Sequence, residues 1–344
     1  MDTVLITGGG GFLGKAIARQ LLAQGKHVRS LCRKRHDQLD HWGIKQIEGD
    51  VAEIDTVGKA CEGVDAVFHT AAKAGVWGNW QDFYRTNVIG TRNVIAACRK
   101  QRIPILIHTS SPSVVFDGSN MEGVDESIPY PTQYHAAYPQ TKAMAEKEVL
   151  NAVREGLQAI ILRPHLIWGP EDNHLVPRIL ERAEKLAIIG DGNNRVDVLY
   201  IDNAAHAHVL AAEKLQENPL LSGNIYFISQ GVPVNLWEMI NRILEAGGKK
   251  PVSRRIPAAA AYVAGACLEG IYRLLGFQQE PRLTRFVAKE LATSHWFDIS
   301  AAIRDLGYEP KVSVEEGLDR LKQWLQQGDQ ASFTGRQRSP VDLQ

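Results

Sequence analysis

Short apolar runs alternate with amphipathic segments along the first half of the chain. Each run is rich in Val, Ile, Leu or Phe, and the segment that follows it has the apolar spacing typical of a helix. The runs predict strands at 3–7, 26–32, 46–51, 66–72, 103–108 and 159–164. Strands that alternate with helices at this spacing predict a parallel, doubly wound α/β sheet, the Rossmann architecture.

The second half is less regular. One further strand is predicted at 224–229. Asp202 has the position of a helix N-cap, and Asn235 and Ser313 each precede a Glu by three residues, the spacing of a capping box. The residues from 329 to 344 are polar and aperiodic, and they predict a disordered tail.

A glycine loop separates the first predicted strand from the first helix. Gly8, Gly11 and Gly14 follow the strand at intervals of three residues. Gly8 allows a sharp turn, Gly11 lets the backbone approach a pyrophosphate, and Gly14 lets the helix pack close to the strand. The N–H groups that open the helix would then face the phosphates. A structural turn is the alternative, but the strand and helix around the loop favour a dinucleotide site.

The end of the second predicted strand indicates which dinucleotide binds. An acidic residue there would accept hydrogen bonds from the adenosine ribose, whereas an arginine can hold a 2′-phosphate. Here Cys32 is followed by three basic residues, and the next carboxylate is Asp37. This pattern favours NADP over NAD, with Arg33 and Arg35 on the 2′-phosphate, and a solvated basic loop is the alternative.

Tyr138 and Lys142 lie at the start of a predicted helix that runs to about residue 154. Four residues apart, they share one helix face, and Pro139 requires the helix to have just begun. A neighbouring ammonium and an oxidised nicotinamide both favour the phenolate, so we expect the tyrosine pKa to fall from ~10 towards neutrality. A serine hydroxyl from the Ser-rich end of the fifth predicted strand would hold the substrate oxygen. Together with the glycine loop, this combination indicates proton transfer at a carbonyl or alcohol.

Composition excludes other classes of function. Lys plus Arg and Asp plus Glu both number 39, so the chain has no overall attraction for nucleic acid. The four cysteines lie far apart without metal-ligand spacing, which predicts reduced thiols and no metal site. The first strand begins within three residues of Met1, leaving no room for a signal peptide. We therefore expect a cytoplasmic protein that acts on a small molecule.

Several short segments, spread over most of residues 1–320, carry a resemblance to a known family. They are Thr7-Gly8, Gly11, Gly14, Gly49-Asp50, Asn87-Val88-Ile89-Gly90-Thr91, Ser110-Ser111, Tyr138, Lys142, Leu162-Arg163-Pro164 and Tyr200-Ile201-Asp202. The sequence resembles the extended short-chain dehydrogenases/reductases, and among them the 3β-hydroxysteroid-dehydrogenase-like branch.

This resemblance implies roles for individual residues. Ser111 corresponds to the family's Ser/Thr, Tyr138 to its acid/base, and Lys142 to the residue that binds the nicotinamide ribose and tunes Tyr138. The implied cofactor contacts are Gly8, Gly11, Phe12, Leu13, Arg33, Arg35, Asp50, Val51, Ala71, Tyr138, Lys142 and Pro164. The candidate substrate contacts are Lys73, Ser111, His165, Asn173 and His174. For Lys73 and the two histidines, a solvated or plain loop position is an equal alternative.

The resemblance also implies a domain organisation and partners. An NADP-binding Rossmann domain would cover 1–170, with segments near 196–229 returning to it. A smaller substrate-binding lobe would cover 171–328. A homodimer is expected, and association with other enzymes of the same pathway stays open.

Three segments narrow the resemblance to one kind of enzyme. They are Ala71-Ala72-Lys73-Ala74-Gly75-Val76-Trp77-Gly78, 166–174 and 200–205. They are similar to the bacterial 2-alkyl-3-oxoalkanoate reductases of olefin biosynthesis, which use NADPH to reduce the C3 ketone of a β-keto acid with two alkyl chains. Sterol-4-carboxylate 3-dehydrogenases (decarboxylating) are similar over the same span, but they usually take NAD and carry an acidic residue where this chain has Cys32. A redox-inactive NADP sensor is a third alternative, which the intact Ser111, Tyr138 and Lys142 disfavour.

The stretch 256–277 is almost without charge. Its uncharged part, 256–268, is too short to span a bilayer, and Glu269 and Arg273 interrupt the rest. Three placements fit it: a lid over an apolar substrate, a core helix, or an interfacial membrane helix. We favour them in that order, so any membrane contact would be peripheral.

Overall fold

A computed structural model describes residues 1–277 and 279–336, with side chains described up to residue 327. The strands are β1 (Thr3–Thr7), β2 (His27–Cys32), β3 (Lys45–Glu48), β4 (Ala66–His69), β5 (Ile105–Thr109), β6 (Met121–Val124), β7 (Ala159–Pro164), β8 (Ile167–Trp168), β9 (Ile188–Ile189), β10 (Arg195–Val196), β11 (Leu199–Tyr200), β12 (Ile225–Ile228), β13 (Val234–Asn235), β14 (Arg255–Ile256) and β15 (His295–Phe297). The helices are α1 (Phe12–Ala23), α2 (Asp37–His41), α3 (Ile54–Cys61), α4 (Trp80–Phe83), α5 (Gly90–Gln101), α6 (Ala137–Arg154), α7 (Leu175–Glu181), α8 (Ile201–Glu217), α9 (Leu236–Ala246), α10 (Ala258–Leu274), α11 (Arg285–Ala292), α12 (Ser300–Leu306) and α13 (Val314–Arg336).

The main sheet has seven strands in the order β12-β7-β5-β4-β1-β2-β3, and all neighbours pair in parallel. The chain builds β2 and β3 on one side of β1, then crosses over and builds β4, β5, β7 and β12 on the other. The predicted doubly wound sheet is therefore confirmed, with the predicted strand at 224–229 as its edge. The direction of winding reverses between β1 and β4, which opens a crevice at their carboxyl ends.

The central strand β1 is buried because helices cover both faces of the sheet. Val4 and Ile6 have no exposed surface and pack in the layer formed by α1 and α8. Leu5 points the other way and packs with residues of α3, α5 and α6. Side chains of β1 thus point alternately into the two hydrophobic cores. This packing on both faces fixes the position at which the glycine loop leaves the sheet.

A smaller part of the molecule contains the sheet β13-β10-β15-β6 and the helices α9, α10 and α11. Its strand β6 comes from the first half of the chain, whereas β12 of the main sheet comes from the second half. The two parts are therefore interleaved along the sequence.

Two of the three predicted helix caps are confirmed. The side chain of Asn235 accepts hydrogen bonds from two backbone N–H groups at the start of α9, at 2.9 and 3.0 Å. Ser313 accepts one from the N–H of Glu316 at 3.1 Å. The N-cap predicted at Asp202 is wrong: α8 begins one residue earlier, and the Asp202 carboxylate instead pairs with Arg320 at 3.0 Å.

The C-terminal helices correct two further expectations. Residues 329–336 continue α13 in place of the predicted tail, and residues 337–344 lie outside the described residues. The uncharged stretch forms α10, whose buried residues are Ala261, Gly265 and Glu269, while Leu274 is 87% exposed. A core placement of this stretch is therefore wrong. Within residues 1–277 and 279–336, none of the helices combines the length and apolarity needed to cross a membrane.

Candidate active site

A cleft of about 900 Å³ lies at the carboxyl ends of β1, β2, β4 and β5. Most of the residues predicted for the site line this cleft, although they are far apart in the sequence. Those that line it are Gly8, Gly11, Phe12, Leu13, Arg33, Asp50, Val51, Ala71, Lys73, Ser111, Tyr138, Lys142, Pro164, Asn173 and His174. Arg35 and His165 are not among the residues that line the cleft.

The glycine loop has the shape that a pyrophosphate requires. Gly8 has a positive φ of 74°, so the turn favours glycine at this position. A Cβ on Gly14 would lie only 2.3 Å from the carbonyl oxygen of Gly8. Because glycine has no Cβ, α1 can pack closely against the loop. Gly11 is the N-cap of α1, and neither an acidic side chain nor a side-chain cap occupies the first turn. The start of α1 therefore offers backbone N–H groups and a positive dipole end to an anion, and the residues present fit a dinucleotide.

The adenosine end of the cleft is basic. The sulfur of Cys32 accepts a hydrogen bond from the N–H of Gly10 at 3.0 Å, in the position where a strand-end carboxylate would lie. Arg33 and Lys34 line the cleft beside it. Arg35 instead makes two hydrogen bonds to Asp40, at 2.7 and 2.8 Å, because α2 begins two residues after it and places Asp40 within reach. The structure thus gives no support to Arg35 as a cofactor contact, and Lys34 is a basic lining residue that sequence analysis did not single out.

Tyr138 lies in the first turn of α6, as Pro139 required. The Ser111 hydroxyl hydrogen-bonds to the Ser113 hydroxyl at 2.9 Å and lines the cleft together with Tyr138. Burial raises the Tyr138 pKa, the neighbouring Ser111 hydroxyl opposes this rise, and the charge of Glu290 adds to it. The expected lowering of this pKa is therefore not found in the protein alone, and burial is the reason. A phenol that holds its proton at neutral pH suits a proton donor.

Lys142 lies one turn further along α6 and is buried. Its ammonium donates a hydrogen bond to the carbonyl oxygen of Thr109, at 2.5 Å, at the end of β5. Burial lowers the Lys142 pKa to about 8, and the carboxylate of Glu146 opposes that shift. Lys142 is thus still mainly charged at neutral pH, on the wall of the cleft below Tyr138.

Glu146 is the centre of a buried polar cluster that sequence analysis missed. It has no exposed surface and accepts hydrogen bonds from Ser110 at 2.5 Å and Tyr130 at 2.7 Å. The guanidinium of Arg163, on β7, also binds it at 2.5 Å and 3.3 Å. The spacing of Lys142 and Glu146 by one helical turn could have suggested a shared face, but the pairing with Arg163 depends on the sheet.

Asn87 connects the loop after β4, on the wall of the cleft, to α6. The chain from Trp80 to Gln101 is helical but has a π-helical turn at Tyr84–Ile89, which contains Asn87. The Asn87 side chain accepts from the N–H of Lys73 at 2.8 Å and donates to its carbonyl oxygen at 3.1 Å. It also donates to the Thr141 hydroxyl at 3.0 Å. This π turn therefore fixes the loop after β4 relative to α6.

The candidate substrate residues separate into two groups. Lys73, Asn173 and His174 lie on the cleft wall, although the Lys73 ammonium already pairs with Asp82 at 3.1 Å. His165 is buried, and its Nε2 lies 2.7 Å from Nδ1 of His295 on β15. The structure therefore gives no support to a substrate contact by His165, since its ring is used to join β7 to the smaller lobe.

No group of His, Cys, Asp or Glu side chains within residues 1–277 and 279–336 is placed to hold a metal ion. Two charged groups instead belong to this part of the molecule: Lys142 lines the cleft, and Glu290 acts on Tyr138. Burial raises the pKa of Glu290, on α11, to about 7, so its charge near Tyr138 changes close to neutral pH. Glu290 comes from the smaller lobe and carries no motif by which the sequence could have pointed to it.

Comparison with known proteins agrees with this geometry. Residues 5–257 match the 3-beta hydroxysteroid dehydrogenase/isomerase family. The chain is 48% identical over 327 residues to a 2-alkyl-3-oxoalkanoate reductase of Shewanella oneidensis, covering 92% of this chain and 84% of that protein. It is 47% identical over 323 residues to a reductase of the same name from Stenotrophomonas maltophilia, covering 93% and 98%. The mouse sterol-4-alpha-carboxylate 3-dehydrogenase, decarboxylating, is 33% identical over 325 residues, covering 92% and 89%.

Solved structures show the same fold. The crystal structure of gox2253 superimposes with a TM-score of 0.77 at 27% identity, covering 95% of this chain and 99% of that one. A UDP-glucuronic acid 4-epimerase from Bacillus cereus, solved in complex with NAD, has a TM-score of 0.73 at 22% identity, covering 94% and 99%.

Proposed function

The chain belongs to the 3-beta hydroxysteroid dehydrogenase/isomerase family and is an NAD(P)-dependent oxidoreductase, and within that family we propose that it is an NADPH-dependent 3-oxo acid reductase. The substrate is a long-chain 2-alkyl-3-oxoalkanoic acid, and the product is the 2-alkyl-3-hydroxy acid. The identity of 48% to a protein named 2-alkyl-3-oxoalkanoate reductase supports this substrate class. The basic lining at Arg33 and Lys34 supports the phosphorylated cofactor.

The observation that carries the proposal is the placement of Ser111, Tyr138 and Lys142 together on the cleft wall, where burial raises the pKa of the Tyr138 phenol and keeps it protonated. When bound, the nicotinamide supplies a hydride to the C3 carbonyl carbon. Ser111 holds the carbonyl oxygen in place, and Tyr138 donates its proton to that oxygen as negative charge develops there. Lys142 stabilises the resulting phenolate, and its ammonium, which lines the cleft, would hold the nicotinamide ribose.

The direct test follows the absorbance of the reduced dinucleotide with the purified enzyme and two panels of compounds. One panel contains 2-alkyl-3-oxoalkanoic acids of increasing chain length, offered with NADPH. The other contains 3-ketosteroids, offered with NADPH, and 3-hydroxysteroids, offered with NADP⁺ or NAD⁺. We expect the keto acids to be reduced with NADPH. No turnover of any keto acid would contradict the proposal, and an absence of turnover with every compound would favour the redox-inactive NADP sensor.

A second candidate function is oxidative decarboxylation of a 3-hydroxysteroid-4-carboxylate. The 33% identity to the mouse sterol dehydrogenase over 92% of this chain favours it. Against it, the end of β2 carries Cys32 and basic residues, where an NAD enzyme would have a carboxylate. Faster turnover of such a sterol acid with NAD, accompanied by release of CO₂, would establish this alternative.

Replacement of Arg33 tests the cofactor. Arg33→Ala should weaken NADPH binding by about 1.5–3 kcal/mol, the value of a charged hydrogen bond, and leave NADH nearly unaffected. The measurement is kcat/KM for each dinucleotide at constant ionic strength.

Arg35→Ala is the matched control, because the same type of side chain two residues away pairs with Asp40. It should change the preference between NADPH and NADH little. If Arg33→Ala lowered kcat/KM equally with NADPH and NADH, the assignment of Arg33 to the 2′-phosphate would be wrong.

Replacement of Lys73 tests whether it binds the substrate carboxylate. The wild type should prefer each keto acid over its methyl ester, and Lys73→Ala should lose that preference. Since the Lys73 side chain is 36% exposed, the expected effect is only up to about fivefold. The measurement is the ratio of kcat/KM values for acid and ester.

Asp82→Ala gives the opposite change, because it releases the Lys73 ammonium from its present partner. It should increase the preference for the acid. A solvated Lys73 with no role would leave the ratio of acid to ester the same in both variants.

A further inference from the structure

A second cavity, of about 480 Å³, adjoins the catalytic cleft. It lies between the loop 76–80, the residues just before Tyr138, and the facing sides of α10 and α11. Six of the residues that line it are aromatic: Trp77, Trp80, Phe83, Tyr272, Phe277 and Phe286. A space of this size with several aromatic rings on its wall can take an alkyl chain.

Two segments of the chain run from the wall of the cleft to the wall of this cavity. Lys73 and Ala74 line the cleft, and the same loop continues directly into the cavity wall. The ammonium of Lys73 lies 5.3 Å from the centroid of the Phe83 ring. Ala137 lines the cavity and is followed at once by Tyr138, which lines the cleft. A molecule held at Tyr138 therefore has this cavity beside it.

Polar groups on the cavity wall are occupied by other parts of the protein. Glu269 accepts hydrogen bonds from the N–H of Arg285 at 2.7 Å and from its guanidinium at 2.8 and 3.0 Å. The guanidinium of Arg273 lies over the Trp77 ring, 5.6 Å from its centroid. The indole N–H of Trp77 donates to the carbonyl oxygen of Phe277 at 3.2 Å. Because these polar groups already have partners in the protein, the aromatic rings beside them are the part of the wall left to contact an apolar ligand.

The helix that closes the cavity is supported on one side only. A Cβ on Gly265 would lie 2.7 Å from the backbone of Thr284, so this glycine allows α10 to pack closely against the segment before α11. Leu274, at the end of the helix, is 87% exposed, and Phe277 beyond it is 50% exposed. The placement of α10 over this cavity agrees with a lid.

We propose that the aromatic cavity binds one of the two alkyl chains of the substrate while the keto acid lies at Ser111 and Tyr138. This inference rests on the proposed function, because it takes the substrate to be a 2-alkyl-3-oxoalkanoic acid. Tyr272 and Phe277 form the side of the cavity that belongs to the smaller lobe, and they determine which chain lengths are accepted.

The test is a series of 2-alkyl-3-oxoalkanoic acids that differ by single methylenes in one chain. In the wild type, kcat/KM should rise roughly fourfold for each methylene that enters the cavity, then level off once it is filled. Tyr272→Ala and Phe277→Ala should each reduce this rise to less than about twofold per methylene. Phe277 is exposed enough for its replacement to leave folding intact, so the test does not depend on the Tyr272 variant alone.

Tyr262→Ala is the matched control, since Tyr262 lies on the same helix but is not among the residues that line the cavity. It should keep the wild-type dependence on chain length. The proposal is overturned if the wild type shows no such dependence, or if Tyr272→Ala and Phe277→Ala keep it unchanged.

Dodecan-1-ol has an alkyl chain but no keto acid group. Its binding therefore tests the cavity independently of the proposed function. Its affinity, measured by calorimetry, should fall in Tyr272→Ala and Phe277→Ala and not in Tyr262→Ala. If no keto acid is reduced but dodecanol binding follows this pattern, the proposed function fails and the cavity remains a chain-binding site. If keto acids are reduced and dodecanol does not bind, the inference about the cavity fails alone.

Discussion

Tyr138→Phe should reduce the rate of ketone reduction on the order of 10²–10⁴-fold while leaving cofactor binding nearly intact. The substitution removes only the phenol oxygen, so the shape of the α6 N-terminus is kept. Without that hydroxyl, the developing oxyanion has Ser111 as a hydrogen-bond donor but no positioned proton source. The rate is measured at saturating NADPH, and binding is followed by the fluorescence of the nucleotide.

Tyr134→Phe is the matched control for this experiment. Tyr134 lies four residues earlier, and its hydroxyl donates a hydrogen bond to the carbonyl oxygen of Val114 at 3.2 Å. It does not line the cleft, so its replacement should change turnover little. Near-normal turnover in Tyr138→Phe would mean that the proton comes from elsewhere, and the role assigned to Tyr138 would be wrong.

The direction of the Tyr138 pKa agrees with a reductase. Burial raises this pKa, so the phenol is protonated at neutral pH and has a proton to give. The charge of Glu290 strengthens the effect, because a neighbouring carboxylate disfavours the phenolate. An enzyme that oxidises an alcohol needs the phenolate as a base, and for that task cofactor binding would have to reverse the shift.

The sequence predicts the parts of the site that depend on local spacing. The three glycines and the pair Tyr138 and Lys142 each lie within a single turn or helix, so their geometry follows from chain periodicity. The basic residues after Cys32 are also evident from the sequence. The start of α2 determines which of them faces the cleft, because Asp40 on that helix forms an ion pair with Arg35. That choice depends on how α2 packs after β2, and no local pattern indicates it.

Other features depend on contacts between distant segments. His165 follows β7 directly, as expected, yet its ring is directed to His295, 130 residues further along the chain. Asp202 has the composition of an N-cap, but α8 begins before it because Ile201 is buried against the core. Local propensity therefore located the elements, and long-range packing determined which side chains reach the site.

The buried cluster around Glu146 is the clearest case of such packing, and it leads to the largest expected effect on stability. Glu146→Ala should lower the free energy of unfolding by about 3–5 kcal/mol, because it leaves the Arg163 guanidinium buried without its partner. Arg163 is 1% exposed, so water cannot replace the carboxylate. The measurement is denaturant unfolding followed by circular dichroism.

Glu148→Ala is the matched control on the same helix, since its partner Arg92 is exposed to solvent. This pair should contribute no more than about 1 kcal/mol. The double variant Glu146→Leu with Arg163→Met should recover much of the stability, because it removes both buried charges together. An equal loss in Glu146→Ala and Glu148→Ala would show that the buried pair contributes no more than a surface one.

Glu146→Gln extends the test to catalysis, because it keeps the size of the side chain and removes its charge. The carboxylate opposes the effect of burial on Lys142, whose pKa is about 8, so its loss should lower that pKa further. The ammonium would then lose its proton at a lower pH, and the alkaline fall in kcat/KM should move in the same direction. If the pH profile of Glu146→Gln matched that of the wild type, the charge of Lys142 would not govern this fall, and Glu146 would act on stability alone.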